Sequence, residues 1–290
     1  MASSEPTSPP KSRAGRDLPA AIAVGLLLFA IVVVTLMWWP PGFIILLVVL
    51  TSLGAVELHQ ALMKIGMRSA IVPVVIGNIL IIGGSYLAAT LQNVTNVPWH
   101  VVLLGAIGGT ILLSLIWRMF GGADGYARDS AASLFIIGYL PVLASFVGLL
   151  LAQPHGVAKV VAAFLCVVGS DTGGYAAGAS LGKHPMAPNI SPKKTWEGLA
   201  GSFALAGVLG IGMATLVMHR PWWVGAILAV VVVIFGTAGD LIESLIKRDI
   251  GIKDMSSFLP GHGGVMDRLD STLVAVPAAW LLFTLLEVGA

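Results

Sequence analysis

Residues 222–248 read WWVGAILAVVVVIFGTAGDLIESLIKR, and this stretch decides the fold of the chain. No charged residue occurs from Trp222 to Gly239. This uncharged run is close in length to the roughly 20 apolar residues that a helix needs to cross a bilayer. The two tryptophans at its start are typical of a membrane–water interface. Charged side chains begin at Asp240 and continue to Arg248. The stretch therefore predicts a transmembrane helix that carries polar groups at one end.

The rest of the chain has the same character. Hydrophobic residues make up 57% and charged residues 10% of the 290 residues, whereas a soluble domain has about 25% charged residues. This composition excludes a soluble globular protein and a disordered one, and the single cysteine, Cys166, excludes an intramolecular disulfide. We predict an all-α, polytopic integral membrane protein with about nine transmembrane helices. The predicted spans are 19–38, 42–62, 70–91, 100–118, 131–152, 158–179, 198–218, 222–242 and 272–288.

Charge placement predicts the organisation and the orientation of the chain. Residues 1–17 are polar and are predicted to form a disordered cytoplasmic tail, residues 18–155 the N-terminal membrane helices, and residues 156–290 the catalytic membrane helices and cytoplasmic loops. With nine crossings, all of the 16 Lys and Arg residues except Lys159 and Arg220 fall on one side. Because positive residues concentrate in cytoplasmic loops, we expect a cytoplasmic N-terminus and an extracytoplasmic C-terminus.

One cluster of charged residues lies between the eighth and ninth spans. Asp240, Ser244 and Lys247 are spaced to share one helix face, and Asp267 and Asp270 share another. Three aspartates suit a hard cation such as Mg²⁺, which prefers oxygen ligands and shares its coordination with substrate phosphates. The alternative is a set of structural ion pairs at the membrane interface. Cationic donors for phosphate oxygens are supplied by Lys247, Arg248, Lys253 and Arg268.

A second cluster follows the sixth span. Asp171 lies at membrane depth, where a carboxylate is costly and indicates function. The glycines between Gly173 and Gly178 suit either helix packing or a phosphate-binding turn. Lys193 and Lys194 suit either lipid headgroups or a triphosphate-binding loop. In the second case Ser191 and Thr195 would be additional donors.

The two clusters resemble the motifs of phosphatidate cytidylyltransferases, also called CDP-diacylglycerol synthases. The long motif reads Ser244-x2-Lys247-Arg248-x4-Lys253-Asp254-x5-Pro260-Gly261-His262-Gly263-Gly264-x2-Asp267-Arg268-x-Asp270. The shorter one reads Ser191-Pro192-Lys193-Lys194-Thr195-x-Glu197-Gly198. Together they cover about 100 residues of the C-terminal half.

The resemblance implies a multi-pass enzyme of the cell membrane, active at the cytoplasmic face, and a homodimer without a nucleic acid partner. It would convert CTP and phosphatidic acid to CDP-diacylglycerol and pyrophosphate with Mg²⁺, leaving room for a second cation. The implied catalytic residues are Asp240, Lys247, Asp267 and Asp270, of which the three aspartates are also the implied metal ligands. The implied substrate-binding residues are Asp171, Ser191, Lys193, Lys194, Thr195, Ser244, Arg248, Lys253, His262, Gly263, Gly264 and Arg268.

Outside the implied metal ligands, His262 and Glu57 each have two possible roles, and two other functions are compatible with a charged membrane protein. His262 is interpreted as orienting the loop or donating to a phosphate rather than as an acid. Glu57 is interpreted as an end residue that extends towards the interface rather than as a pocket wall. A CTP-using lipid-alcohol kinase would need a base for its neutral nucleophile. A transporter would carry charges near the membrane midplane and in repeated halves, whereas the charges here follow the predicted span ends.

Overall fold

The computed structural model describes residues 18–256 and 263–288. The predicted tail, residues 1–17, and His262 lie outside the described residues. Most of the described chain forms helices, which we number in chain order. They are α1 (Leu18–Trp38), α2 (Pro40–Lys64), α3 (Ile71–Thr90), α4 (Trp99–Met119), α5 (Tyr126–Leu151), α6 (Gly156–Leu181), α7 (Trp196–Val217), α8 (Trp222–Ile250) and α9 (Met266–Val288).

The helices confirm a polytopic all-α membrane protein. Over the described residues, the eight helices from α2 to α9 are long and apolar enough to cross a membrane, and α1 adds a further apolar helix. Each of the nine predicted spans coincides with one of them. The largest difference is at α8, which continues from the predicted end at residue 242 to Ile250. The cluster from Asp240 to Arg248 therefore lies on helix rather than on a loop.

Local chemistry explains several helix ends. Two prolines, Pro40 and Pro41, occupy the first turn of α2, where a missing N–H costs nothing. Gly251 ends α8 with a φ of +76°, a left-handed conformation that favours glycine. Its N–H donates to the carbonyl of Arg248 at 3.1 Å, and Ile252 N–H donates to that of Lys247 at 2.9 Å. This turn reverses the chain towards α9.

The helices pack in a way that gathers the ends of α6, α8 and α9. Helix α6 packs along α7, α7 against α8, and α8 against α9. Helix α9 also contacts α2 and α5, so the N-terminal half of the chain reaches the C-terminal half. The connection between α6 and α7 is a two-stranded antiparallel hairpin, β1 (Pro185–Ala187) and β2 (Ser191–Thr195). The sequence analysis did not predict this hairpin.

Candidate active site

An open cavity of about 350 Å³ lies where the hairpin meets the ends of α6 and α8. Five residues predicted to bind substrate line it, and so does the predicted catalytic residue Asp240. The wall also includes Ser271, the neighbour of Asp270. The structure thus brings the two sequence clusters together at one site. The predicted residues in the wall are Asp171, Ser191, Lys193, Lys194, Thr195 and Asp240.

The hairpin that carries the lysines is fixed at both ends. Thr195 caps α7, because its hydroxyl accepts the N–H of Gly198 at 3.1 Å. Glu197 accepts the N–H groups of Lys183 and His184, each at 3.2 Å, and contacts His184 Nδ1 at 2.5 Å. The lysines of the second motif are therefore held on a strand that is tied to the start of α7.

The glycines before the hairpin serve helix packing. A Cβ atom at Gly173 would lie 2.3 Å from the carbonyl oxygen of Gly201, and one at Gly201 would lie 2.4 Å from Cβ of Ala177. Gly174 meets Ser202 in the same way, since an added Cβ would lie 2.6 Å from its hydroxyl. The structure therefore supports the packing alternative for these glycines. Close packing of α6 on α7 in turn places Asp171 in the cavity wall.

Asp240 links the hairpin to α8. Its Oδ2 lies 2.5 Å from Nζ of Lys194, and its Oδ1 lies 3.5 Å from the hydroxyl of Ser244 one turn further along α8. The expected shared face of Asp240 and Ser244 is confirmed. The ion pair between Lys194 and Asp240 joins the shorter motif to the long one. The two residues are about 45 positions apart in the sequence, so only the tertiary fold brings them together.

Lys247 turns towards a different pair of carboxylates. Its Nζ lies 2.6 Å from Oε2 of Glu243 and 2.9 Å from Oδ1 of Asp267. Glu243 has 0% exposure, and its second oxygen, Oε1, has no hydrogen-bond partner among the described residues. The predicted alignment of Lys247 with Asp240 on one face is therefore incomplete, because the ammonium is drawn to the buried carboxylate of Glu243.

Asp267 is surrounded by donors. Besides Lys247, its Oδ2 accepts the N–H of Gly264 at 2.9 Å and that of Met255 at 3.1 Å. A Cβ at Gly263, which has a φ of +83°, would lie 3.2 Å from the same oxygen. Gly263 and Gly264 were expected to let the backbone approach a ligand. In the structure the backbone approaches the carboxylate of Asp267.

Three cationic residues of the long motif are exposed. Arg248 and Lys253 are exposed, and Nε of Arg248 contacts the carbonyl of Ile190 in the hairpin turn at 3.5 Å. Arg268 is also exposed, on the first turn of α9. None of the three is in the cavity wall. Their assignment to substrate phosphates stays a prediction.

The carboxylates only partly fit a metal ion. Within residues 18–256 and 263–288, no group of three acidic, histidine or cysteine side chains is arranged to hold a metal. Asp267 is committed to Lys247 and two backbone donors, so it would have to release them to join Asp240 and Asp270. Glu243 Oε1 is nevertheless buried without a hydrogen-bond donor among the described residues, and its carboxyl group lies beside that of Asp270, so a cation between the two would satisfy both. Asp240, Asp270 and Glu243 would hold such an ion if substrate phosphates completed its coordination.

Two carboxylates with defined partners are not among the predicted site residues. Glu243 received no role from its sequence, although its i, i+4 spacing to Lys247 was a usable signal. Glu57 was expected to extend towards the interface, and this is wrong, because it is 5% exposed and accepts hydrogen bonds from the loop before α9. No local pattern links Glu57 to residues about 200 positions away.

The fold and the site define a class: a multi-spanning membrane protein with cations and carboxylates gathered at one end of its bundle, around a cavity suited to phosphates. The chain belongs to the cytidylyltransferase family, whose model matches residues 19–286. It is 38% identical over 291 residues to the phosphatidate cytidylyltransferase of Mycobacterium bovis, covering 95% of this chain and 91% of that protein.

Two further relatives carry the same name. The phosphatidate cytidylyltransferase of Mycobacterium leprae is 38% identical over 295 residues, covering 94% of this chain and 90% of that protein. That of Haemophilus influenzae is 42% identical over 128 residues, covering 42% of this chain and 44% of that protein. The family resemblance drawn from the motifs is therefore confirmed over nearly the whole chain.

Proposed function

We propose that this protein transfers a cytidylyl group from CTP to phosphatidic acid, giving CDP-diacylglycerol and pyrophosphate. The observation that carries the proposal is the Lys194–Asp240 ion pair, which joins both family motifs in the wall of one cavity. The relatives named phosphatidate cytidylyltransferase, matched over most of the chain, support the same reaction.

The proposed reaction depends on neutralising the negative charge of its two substrates rather than on proton transfer. An oxygen of the phosphatidate phosphate forms a bond to the α-phosphorus of CTP, while the bond from that phosphorus to the bridging oxygen of the β-phosphate breaks. Pyrophosphate leaves with the electron pair of that bond. Because the attacking phosphate is already ionised, no general base is required. The barrier is set by aligning two polyanions and neutralising them.

The residues divide between substrates and ion. Lys193 and Lys194 are assigned to CTP phosphates, with Ser191 and Thr195 as hydroxyl donors beside them. Lys247 has three N–H donors, of which Glu243 and Asp267 use two, so the third is available to a phosphate oxygen. The further groups assigned to phosphates or to the loop around them are Asp171, Ser244, Arg248, Lys253, His262, Gly263, Gly264 and Arg268.

We assign a Mg²⁺ ion to Asp240 and Asp270, with Glu243 as the nearby buried carboxylate and room for a second cation. When bound, the ion would neutralise phosphate oxygens of both substrates and of the leaving pyrophosphate. Asp267 is assigned to holding Lys247 and the backbone N–H of Gly264. It would reach the ion only if these contacts were released. The assignments of Asp240, Glu243 and Asp267 rest on the partners described above, and that of Asp270 rests on the family motif.

Membrane placement suits a lipid substrate. The cavity lies at the ends of apolar helices, so the phosphate of phosphatidic acid could enter it while the acyl chains stay in the bilayer. We infer an enzyme of the cell membrane, with the site and the N-terminus on the cytoplasmic side and the C-terminus outside, because of the distribution of Lys and Arg. A homodimer in contact with membrane lipids, without nucleic acid, is part of the same proposal.

The test is product analysis with purified protein in mixed micelles. With CTP, phosphatidic acid and Mg²⁺ we expect CDP-diacylglycerol and pyrophosphate in equal amounts, and neither product without phosphatidic acid. A polyprenol in place of phosphatidic acid is the control for a lipid-alcohol kinase, which would release CDP rather than pyrophosphate. CDP formation with the alcohol, and none of the expected products with phosphatidic acid, would overturn the proposal.

A further inference from the structure

A carboxylate from the N-terminal half of the chain holds the loop that leads into α9. Glu57 lies on α2, outside both family motifs, and is 5% exposed. Its Oε1 accepts the hydroxyl of Ser256 at 2.5 Å and the N–H of Val265 at 3.0 Å, while its Oε2 accepts the N–H of Met266 at 2.9 Å. Three donors from the opposite half of the chain thus converge on one buried side chain.

One of these donors lies at the start of α9. Met266 begins α9, and the first N–H groups of a helix have no partner within the helix. A carboxylate at that end is also favoured by the helix dipole. The first N–H of α9, that of Met266, is therefore capped by a residue of α2. Asp267 and Asp270 lie on the first turn and a half of the helix that is capped in this way.

The contact also spans the segment that contains His262. Ser256 precedes that segment and Val265 follows it, so one carboxylate ties both flanks. Gly264 makes this possible, since a Cβ there would lie 2.7 Å from Oε2 of Glu57 and 3.1 Å from Oδ2 of Asp267. Two carboxylates, Glu57 from α2 and Asp267 from α9, thus hold the same turn from opposite sides.

We propose that Glu57 is a positioning residue for nucleotidyl transfer. It fixes where α9 begins, and with it the carboxylates of Asp267 and Asp270, and it ties Ser256 to the turn before α9. The part of this inference that concerns catalysis rests on the proposed function. The part that concerns capping rests only on the hydrogen bonds of Glu57. It gives the N-terminal helices a direct part in the site.

The test compares Glu57→Gln with Glu287→Gln. Glutamine keeps the size of the side chain but replaces one acceptor oxygen with an NH₂ donor that would face a backbone N–H. Glu287 is a matched control, because it is also a glutamate in a contact between helices, with Lys159 of α6, but at the far end of α9. Glu57→Ala serves as the stronger variant, and Gln keeps the test valid if Ala does not fold.

Two readouts distinguish positioning from general stability. We expect amide hydrogen exchange in residues 252–268 to be faster in Glu57→Gln by about tenfold, as loss of one net hydrogen bond of roughly 1.4 kcal/mol implies, with no change there in Glu287→Gln. We expect kcat to fall by about tenfold or more while KM for CTP changes by less than about twofold, as for an interaction that matters only in the transition state.

Each outcome bears on a different part of the inference. Unchanged exchange in Glu57→Gln would overturn capping, and faster exchange with unchanged kcat would overturn positioning. A loss of melting temperature equal in both variants, with equal loss of kcat, would also overturn it. If the wild-type protein made no CDP-diacylglycerol, the proposed function and the catalytic half of this inference would fall, whereas a faster exchange in Glu57→Gln would still support the capping half.

Discussion

At the scale of single residues, the charged side chains of the site are defined by their partners. Lys247 lies between Glu243 and Asp267, Lys194 is paired with Asp240, and Lys193 is exposed on the hairpin. The motifs in the sequence identified these three lysines but not the pairs they form. Because the partners differ, substitutions at these residues should change different kinetic parameters.

The carboxylates provide the first prediction. Asp240→Asn and Asp270→Asn should each lower kcat by about 100-fold or more, as loss of a metal ligand or of a charge partner beside the reacting phosphates does. The Mg²⁺ concentration for half-maximal rate should rise in any residual activity. Steady-state rates against Mg²⁺ check this, with Asp249→Asn, an exposed aspartate on the same helix, as the control. Near-normal turnover in both variants would contradict the assignment of the metal site.

The lysines provide the second prediction. Lys247→Ala should lower kcat by about 100-fold, and Lys247→Arg should not restore it, because a planar guanidinium does not fit a compact, half-buried site between two carboxylates. Lys193→Ala should raise KM for CTP or phosphatidic acid about tenfold, equivalent to about 1.4 kcal/mol, with kcat retained. Lys193→Arg should keep KM near the wild-type value, because at this exposed position a positive charge suffices.

Lys194 should fall between these two cases. Its replacement removes a phosphate donor and also leaves Asp240 without its ion-pair partner, so both KM and kcat should change in Lys194→Ala. The measurement is steady-state kinetics in mixed micelles with each substrate varied in turn. A Lys247→Ala enzyme with wild-type kcat and altered KM would show that this division of roles is wrong.

At the scale of helices and strands, the site depends on the close packing of α6 on α7. Glycines occur where the two helices meet, and the capping residue Thr195 fixes the start of α7. The sequence predicted all nine apolar helices, with ends that differ by up to eight residues at α8, and left open whether the glycines pack or bind phosphate. It did not predict the hairpin, because β1 and β2 are only three and five residues long, too short for an alternating apolar pattern to stand out.

The third prediction tests this packing. Gly201→Ala should lower stability by about 1–3 kcal/mol, as overpacking does, because the added Cβ would lie 2.4 Å from Ala177 and 2.5 Å from the carbonyl of Gly173. Gly207→Ala is the matched control on the same helix, since nothing lies within 4 Å of its added Cβ. Thermal unfolding in detergent should show a lower midpoint for Gly201→Ala alone. Equal midpoints would mean that α6 and α7 do not pack as closely as described.

At the scale of the whole molecule, the asymmetry of charge predicts the orientation in the membrane. Lys159 and Arg220, the only Lys and Arg residues expected outside, both line a second cavity of about 280 Å³. This cavity lies at the starts of α6 and α8, far from the ends that form the site. Within the described residues, these two cations therefore lie at the opposite ends of α6 and α8 from Lys194 and Lys247.

The fourth prediction is the topology. A reporter fused after Ala290 should be extracytoplasmic, and a cysteine introduced into residues 186–190 should react only with reagents that reach the cytoplasm. Cys166 is fully buried and should add little background. Nine crossings place the two ends of the chain on opposite sides. A cytoplasmic reporter together with a cytoplasmic 186–190 loop would mean that α9 does not complete a crossing or that one of the other helices does not span.

The sequence by itself determined the class of fold, the nine apolar segments and the charged residues of both motifs. Length, hydropathy and residue chemistry are local properties, and a bilayer requires an apolar segment to satisfy its backbone groups within a helix. Only the tertiary structure decided the partners. It paired Lys194 with Asp240, brought Asp267 to Lys247, and brought Glu57 to the start of α9. The physical reason is that a buried charge or an uncapped helix end is satisfied by whichever group packing brings within about 3 Å, and no spacing along the chain specifies which group that will be.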